Sequence, residues 1–317
     1  MSDEKAVDAY TDFIEPFLID HSSIRGRFVR LSTVLDDILN AHHYPLAVSM
    51  HLAEQIVIAC MLSATLVKDG ILTVQAKGDG PIRFMVVDVL ADGTIRGYAQ
   101  MDEEELKRII GKSKKKQDIG VLLGKGYLAV TLDDGKSKER YQGIVELVGE
   151  SLSDAFKGYF MQSQQGEIAL NIAVQPPAKR GESWKGGGVI VERMPIAGGK
   201  QVELDIDEQN EIWERTKLFM QTLKPKEMLD RRITPQNLLY RLFNEDGVWV
   251  YKVQPLKAGC RCSRKRIREV LKTIPKQDLI DSLDTEGKMS VNCQFCNKTE
   301  VFKREDINRL YRTTTRK

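Results

Sequence analysis

The stretch GILTVQAKGDGPIRFMVVDVLADGTIRGYAQ, residues 70–100, contains three β-rich runs, Ile71–Ala76, Ile82–Val89 and Thr94–Tyr98. Gly78-Asp79-Gly80 and Asp92-Gly93 stand between them. Both breaks supply residues that tolerate positive φ, so the runs predict an antiparallel meander. On its amino-terminal side, Pro45 can open a helix without wasting an N–H, and Ala47, Ala53, Ala59, Ser63 and Ala64 would let neighbours approach closely. That helix is expected at the centre of the core. Before it, residues 24–31 (IRGRFVRL) read as a half-buried strand, and Ser32 or Thr33 as the cap of a helix through Leu39.

Downstream of the meander, a charged helix is expected over Asp102–Ile110, followed by the run Lys112-Ser113-Lys114-Lys115-Lys116. A hairpin follows, Tyr127–Leu132 with Arg140–Val145, tipped by Asp133-Asp134-Gly135. Ser151 with Asp154 three residues on predicts a capped helix to Gln162, and strands are expected over Glu167–Val174 and Val189–Arg193. Helices and strands segregated in this way define an α+β core over residues 1–195. Residues 196–255 read as a linker. Between Glu203 and Glu214 it carries six carboxylates and no lysine or arginine, yet Ile212, Thr216, Phe219 and Leu223 fall on one helical face. Such a helix needs a partner surface, because packing of the apolar face holds most protein helices. Thr234-Pro235 opens a second linker helix with Leu238, Leu239, Leu242 and Phe243, and Val248–Val253 reads as an alternating strand.

With 317 residues, 42% of them hydrophobic, the chain can bury a sizeable core in more than one domain. Its 48 basic and 45 acidic residues nearly cancel, so overall charge selects neither nucleic acid nor a membrane as partner. The first residues, Met1-Ser2-Asp3-Glu4-Lys5, lack the basic and apolar regions of a secretory signal. The longest apolar stretch, Leu46 to Val67, is interrupted by His51, Glu54 and Gln55, which favours a buried helix over a membrane span. A cytoplasmic protein is expected. Thiols are kept reduced there, so clustered cysteines point to metal or redox chemistry rather than a disulfide framework.

Four of the five cysteines cluster, as Cys260-Arg261-Cys262 and Cys293-Gln294-Phe295-Cys296. Zinc takes four thiolates at tetrahedral corners, with neighbouring sulfurs about 3.8 Å apart, and residues two or three apart in a turn can present sulfurs at that distance. One Zn²⁺ held by Cys260, Cys262, Cys293 and Cys296 is therefore expected in a domain over residues 256–317. Met289–Asn292 and Thr299–Phe302 read as the two strands of a zinc ribbon, and Ser263 as the cap of a helix containing Ile267, Val270 and Leu271. So small a domain has little core, and metal binding on the order of 10 kcal/mol would supply much of its folding energy. Four-cysteine sites most often serve as inert staples. Here Lys257, Arg261, Arg264, Lys265, Arg266, Arg268 and Lys272 surround the motif and favour thiolate, which peroxide attacks first. A disulfide between residues two apart closes a strained ring that is readily reduced, which suits a reversible sensor.

The sequence resembles the HslO family of redox-regulated holdase chaperones, the thirty-three-kilodalton heat-shock chaperonins. The resemblance rests on the two cysteine pairs near the carboxyl end, on Arg25-Gly26-Arg27 and on Gly187-Gly188-Val189-Ile190-Val191, and it covers nearly the whole chain in the same order. It implies a protein that is not an enzyme and is inactive when reduced and zinc-bound. In that family oxidants form disulfides within each pair, here Cys260–Cys262 and Cys293–Cys296, and zinc is released. The linker then loses its fold, and the core, commonly as a homodimer, binds unfolding client proteins without ATP. In the present chain Trp213, Phe219 and Leu223 would be exposed by that event.

Other motifs carry less. Gly111-Lys112-Ser113 and Gly135-Lys136-Ser137 lack the glycine five residues earlier, where Leu106 and Val130 stand, so neither makes a phosphate loop. His21, His42, His43 and His51 lie far in sequence from the cysteines and read as capping or surface residues. Cys60, within the apolar helix, reads as a buried inert thiol. The competing functions are a nucleic-acid-binding zinc-ribbon protein, suggested by the basic run 257–272, and a thiol–disulfide oxidoreductase. The first has few aromatics for stacking, and a four-ligand site leaves the second no attacking thiol.

Overall fold

A computed structural model describes residues 11–63, 69–112, 118–135, 140–149, 151–161, 166–194 and 205–311. The chain divides into two compact units, residues up to Ala258 and residues from Gly259 onward. Two six-stranded sheets organise the first. One has the order β10-β1-β2-β9-β8, with β11 also on β1: β1 is Phe13–Ile19, β2 Ile24–Leu31, β8 Ile168–Gln175, β9 Lys185–Arg193, β10 Val248–Val250 and β11 Gln254–Pro255. The other runs β12-β5-β4-β3-β6-β7, with β3 Ile71–Gly78, β4 Ile82–Leu90, β5 Thr94–Met101, β6 Gly126–Asp133, β7 Tyr141–Glu146 and β12 Lys257–Ala258. The meander is antiparallel as its turns require, β3 pairing with β4 and β4 with β5.

Helix α1 (Thr33–Leu39) precedes the central helix α2 (Leu46–Ser63), which packs on β2, β8 and β9 of one sheet and on β3, β4 and β5 of the other. Only Leu46, Met50 and Glu54 of α2 escape full burial. A helix covered on all sides has no use for a polar stripe. Although α2 is long and apolar enough to cross a membrane, it is mostly buried between the sheets. Its Gln55 donates there from Nε2 to the Val74 carbonyl at 2.8 Å. Gly186 and Gly188 of β9 make this packing possible, because a Cβ at either would come within 3 Å of Leu35, Val57 or Met61 side chains.

The opposite face of the first sheet is covered by the acidic region. Helices α6 (Ile206–Thr222), α7 (Pro225–Leu229) and α8 (Pro235–Phe243) bury Ile212, Trp213, Met220, Leu223, Met228, Leu238, Leu239, Leu242 and Phe243 against Phe13, Phe17, Phe28, Val189 and Val191. Strand β2 is thus covered on both faces, and every residue of it except Arg25 is buried, where a half-buried strand was expected. Its two buried arginines serve opposite sides. Arg27 donates to the Met61 carbonyl at the end of α2, and Arg30 to the Met228 and Ile233 carbonyls of the acidic region.

Several expectations change. Neither Ser32 nor Thr33 caps α1 through its side chain. Asp12, just before β1, does so from a distance, accepting from the N–H groups of Ser32 (2.6 Å), Val34 (3.0 Å) and Thr33 (3.2 Å). Ser32 Oγ instead donates to the Trp184 carbonyl. Strand β1 itself was not expected, nor was the short α4 (Ile119–Leu122), which follows α3 (Glu103–Lys112). The helix after Ser151, α5 (Leu152–Tyr159), is capped as expected by Ser151 Oγ accepting from Asp154 N. It spans Leu152–Tyr159, and its expected end, Gln162, lies outside the described residues, as does most of the lysine run. Val248–Val253 is not one alternating strand: β10 is an edge strand of three residues, and Trp249 and Tyr251 are exposed. On α6 the buried face is Gln209, Ile212, Trp213, Thr216 and Met220, with Phe219 only half-buried. Asp205 and Glu208 close a reciprocal capping box at its start.

Candidate metal centre

The second unit holds α9 (Arg264–Leu271), α10 (Lys276–Asp281), the antiparallel pair β13 (Lys288–Asn292) and β14 (Thr299–Lys303), and α11 (Arg304–Leu310). Its core consists of five fully buried apolar side chains, Leu271, Leu279, Met289, Phe302 and Ile307. A core of that size is marginal for independent folding. Val270 is exposed; α9 presents only Leu271 fully and Ile267 partly to this cluster.

Cys260 and Cys262 lie just before α9. Ser263 Oγ accepts from Arg266 N and caps that helix as the sequence predicts, which fixes the path of the first pair. Cys293 and Cys296 occupy the β13–β14 turn. Cys293 N donates to the Lys298 carbonyl at 3.0 Å and Asn297 N to the Cys293 carbonyl at 2.8 Å, while Asn297 takes φ +54°. Asparagine tolerates this left-handed conformation better than most residues. The turn brings the sulfurs together: Cys260 Sγ is 3.6 Å from Cys293 Sγ, Cys262 Sγ is 3.4 Å from Cys296 Sγ, and all four lie within 4.8 Å of one another. Tetrahedral zinc–thiolate geometry needs edges of about 3.8 Å, so donor type, number and spacing all fit one ion of that class.

Backbone N–H groups converge on these sulfurs. Those of Phe295 and Cys296 reach Cys293, that of Lys298 reaches Cys296, and Cys262 N donates to Cys260 Sγ at 3.4 Å. Burial raises the Cys293 thiol, but these amides and the neighbouring thiols outweigh it and bring it down to about 7. Burial and thiol–thiol hydrogen bonds push Cys262 up, and burial pushes Cys296 up. Four sulfurs this close cannot all be charged without a cation among them. The basic run contributes less than its sequence suggests. Arg264 is paired with Glu300 (2.9 Å) and Asp306 (3.1 Å) over the Phe302 ring, Lys272 with Glu269, and Lys257 with Asp92. Much of the local support for thiolate therefore comes from backbone amides, which the sequence does not display.

The remaining candidates stay apart from this cluster. Cys60 is fully buried in α2, and burial pushes its thiol far up. His42 stacks on Tyr44 and lies edge-on to Tyr98, His51 lies beside Glu54, and His21 beside Asp20. Among the described residues the four cysteines are the only group of histidine, cysteine or carboxylate ligands close enough to hold a metal.

A family model described as Hsp33 protein matches residues 12–303, which includes both cysteine pairs. The chain belongs to the Hsp33 family. The 33 kDa chaperonin of Caulobacter vibrioides is 34% identical over 288 residues, covering 90% of this chain and 93% of that protein. That of Proteus mirabilis is 32% identical, covering 94% and 96%. The crystal structure of the Thermotoga maritima Hsp33 homologue superposes with a TM-score of 0.76 at 24% identity, covering 94% of this chain and 97% of that one, and shows the same fold. Hsp33 proteins are redox chaperones and holdases rather than enzymes, and this chain carries the family's four-cysteine cluster capable of coordinating a metal ion.

Proposed function

We propose that this protein is an oxidation-activated, ATP-independent holdase of the cytoplasm, switched by Cys260, Cys262, Cys293 and Cys296. The single observation that carries the reading is the gathering of the four sulfurs within 4.8 Å in a unit with only five fully buried apolar side chains. In the reduced protein these four residues would hold one Zn²⁺, which would supply the positive charge that keeps all four as thiolates and much of the unit's folding energy. Oxidation by a peroxide forms one S–S bond in each pair, Cys260–Cys262 and Cys293–Cys296, a pairing taken from the family resemblance. Each bond takes two electrons from two thiolates, and one peroxide accepts them with two protons to give two waters. Four donors are thereby lost, and residues 256–317 lose their hold on the metal and their fold.

The linker, residues 196–255, is the element that responds. Its helices bury Trp213, Met220, Leu223 and Phe243 on the first sheet, while α6 turns Asp207, Glu208, Glu211 and Glu214 to water. Undocked, an acidic segment of this composition stays soluble and leaves both its own apolar face and that of the sheet available to unfolding clients. Residues 1–195 form the client-binding core and the surface through which the oxidised protein dimerises. The test is aggregation of a thermally unfolding protein, followed by light scattering in the presence of reduced or peroxide-treated chain. Protection by the oxidised form alone is expected; equal protection by both forms would reject the switch.

A further inference from the structure

Between β1 and the acidic helices lies a buried carboxyl group that the cysteine chemistry does not use. Glu15 is 1% exposed, in the middle of β1, on the strand face that carries Phe13 and Phe17. Its Oε1 accepts from Gln236 Nε2 of α8, and its Oε2 is buried without a hydrogen-bond partner. From β2, Arg30 is the charged group that acts on it, but the Arg30 guanidinium is already engaged by the Met228 and Ile233 carbonyls. Asp230 and Arg231, on the segment between α7 and α8, act on Arg30 with opposite sign. No hydrogen-bonded ion pair therefore balances a negative charge on Glu15. Two more buried polar atoms of the same seam, Trp213 Nε1 and Thr216 Oγ1, also lack hydrogen-bond partners, so docking leaves several polar groups unsatisfied.

We propose that Glu15 is a proton-operated latch: the helices spanning residues 206–243 dock firmly on the sheet while its carboxyl is protonated and are loosened when it ionises. A buried carboxylate with one amide donor and a cation engaged elsewhere is poorly stabilised, whereas the neutral acid loses less on desolvation. Desolvation by burial raises Glu15 from 4.5 to about 7, against the lowering effects of Gln236 and Arg30. The direction of linkage follows. With the helices away the carboxyl is exposed and ionises at an ordinary value, so the docked form binds the proton more tightly. Docking strength is full below about 4.5, falls by up to about tenfold per pH unit as pH rises toward about 7, and is level above it. Mild acid thus holds the linker closed, and neutral pH leaves it ready for release.

The inference rests on the linker reading above in one respect, that residues 206–243 can leave the sheet, and it is tested without any chaperone assay. Hydrogen–deuterium exchange of the reduced, zinc-loaded full chain, corrected for intrinsic exchange rates, reports opening of α6 and α8 between pH 5 and 8. Opening is expected to rise about tenfold from pH 5.5 to 6.5 and to flatten above 7. E15Q, permanently neutral, is expected to remove this slope and retain the protection seen at low pH. Any contribution from His21, whose carbonyl accepts from Gln209 at the same seam, would persist in E15Q and is separated by it. Q236A removes the donor that favours the ionised form and is expected to move the plateau to higher pH. A flat profile in the unsubstituted chain, a slope as steep in E15Q as in the unsubstituted chain, or an unmoved plateau in Q236A would overturn the latch. Failure of the oxidised protein to protect clients would reject the holdase reading and leave these exchange results standing.

Discussion

Replacing Trp213 with alanine should produce a chaperone that is active without oxidation. Trp213 is 1% exposed on α6 and packs in the cluster that joins the acidic helices to Phe13, Phe17 and Phe28. Its indole N–H makes no hydrogen bond, so truncation removes packing without stranding a partner acceptor. Lys217 lies over the ring at 5.8 Å and is 33% exposed, so its loss adds little. Truncating a buried tryptophan costs about 3–5 kcal/mol, which lowers the docking constant on the order of a hundredfold or more. Nothing in the second unit is altered, so zinc content and the four thiols should match those of the unsubstituted chain. Light scattering of an unfolding client in the presence of reduced W213A, alongside hydrogen exchange of residues 206–243, checks the outcome. Two results would refute the reasoning: the helices stay protected from exchange, or they exchange freely and the reduced variant still protects no client.

Chelation of the metal under reducing conditions should unfold residues 259–311 while leaving the two sheets intact, because binding energy on the order of 10 kcal/mol greatly exceeds what five buried apolar side chains provide; backbone amide NMR distinguishes the two regions. Peroxide titration should release one zinc for every four thiols lost, with Cys60 still titratable only after denaturation; zinc retained throughout would mean an inert staple. D12A should lower the melting temperature of the first unit through a loss of about 1–2 kcal/mol, since it removes the acceptor for three N–H groups at the start of α1, and should leave zinc stoichiometry unchanged.

The parts of the fold that could be read from the sequence are those whose signals are local. The meander was legible because Gly78-Asp79-Gly80 and Asp92-Gly93 mark its turns, and Ser151, Ser263 and Thr234 sit where their side chains cap helices. The four cysteines were legible as a group because their spacing is a property of the chain. Long-range features were not. Strand β1 contains Pro16 and Glu15 and looks like a weak strand until β10 and β11 pair with its other edge. Asp12 as a cap lies twenty or more positions from the groups it caps. Arg27 and Arg30 resemble surface residues, and only the helices on both faces of β2 show why they are buried. The pairing of the basic run with Glu300 and Asp306 likewise depends on the fold bringing β14 and α11 beside α9.

The acidic helices leave the first sheet after β9 and return to it at β10 and β11, both of which pair with β1. They form a loop tethered at both ends rather than a free tail. Once released, such a loop remains at an effective concentration near millimolar over its own docking face, provided β10 stays paired. On the proposed function, a client held on that face would compete at all times with an internal ligand. Retention would favour chains exposing more apolar surface than the loop itself offers, and a client that begins to bury its own core would be displaced without any input of energy.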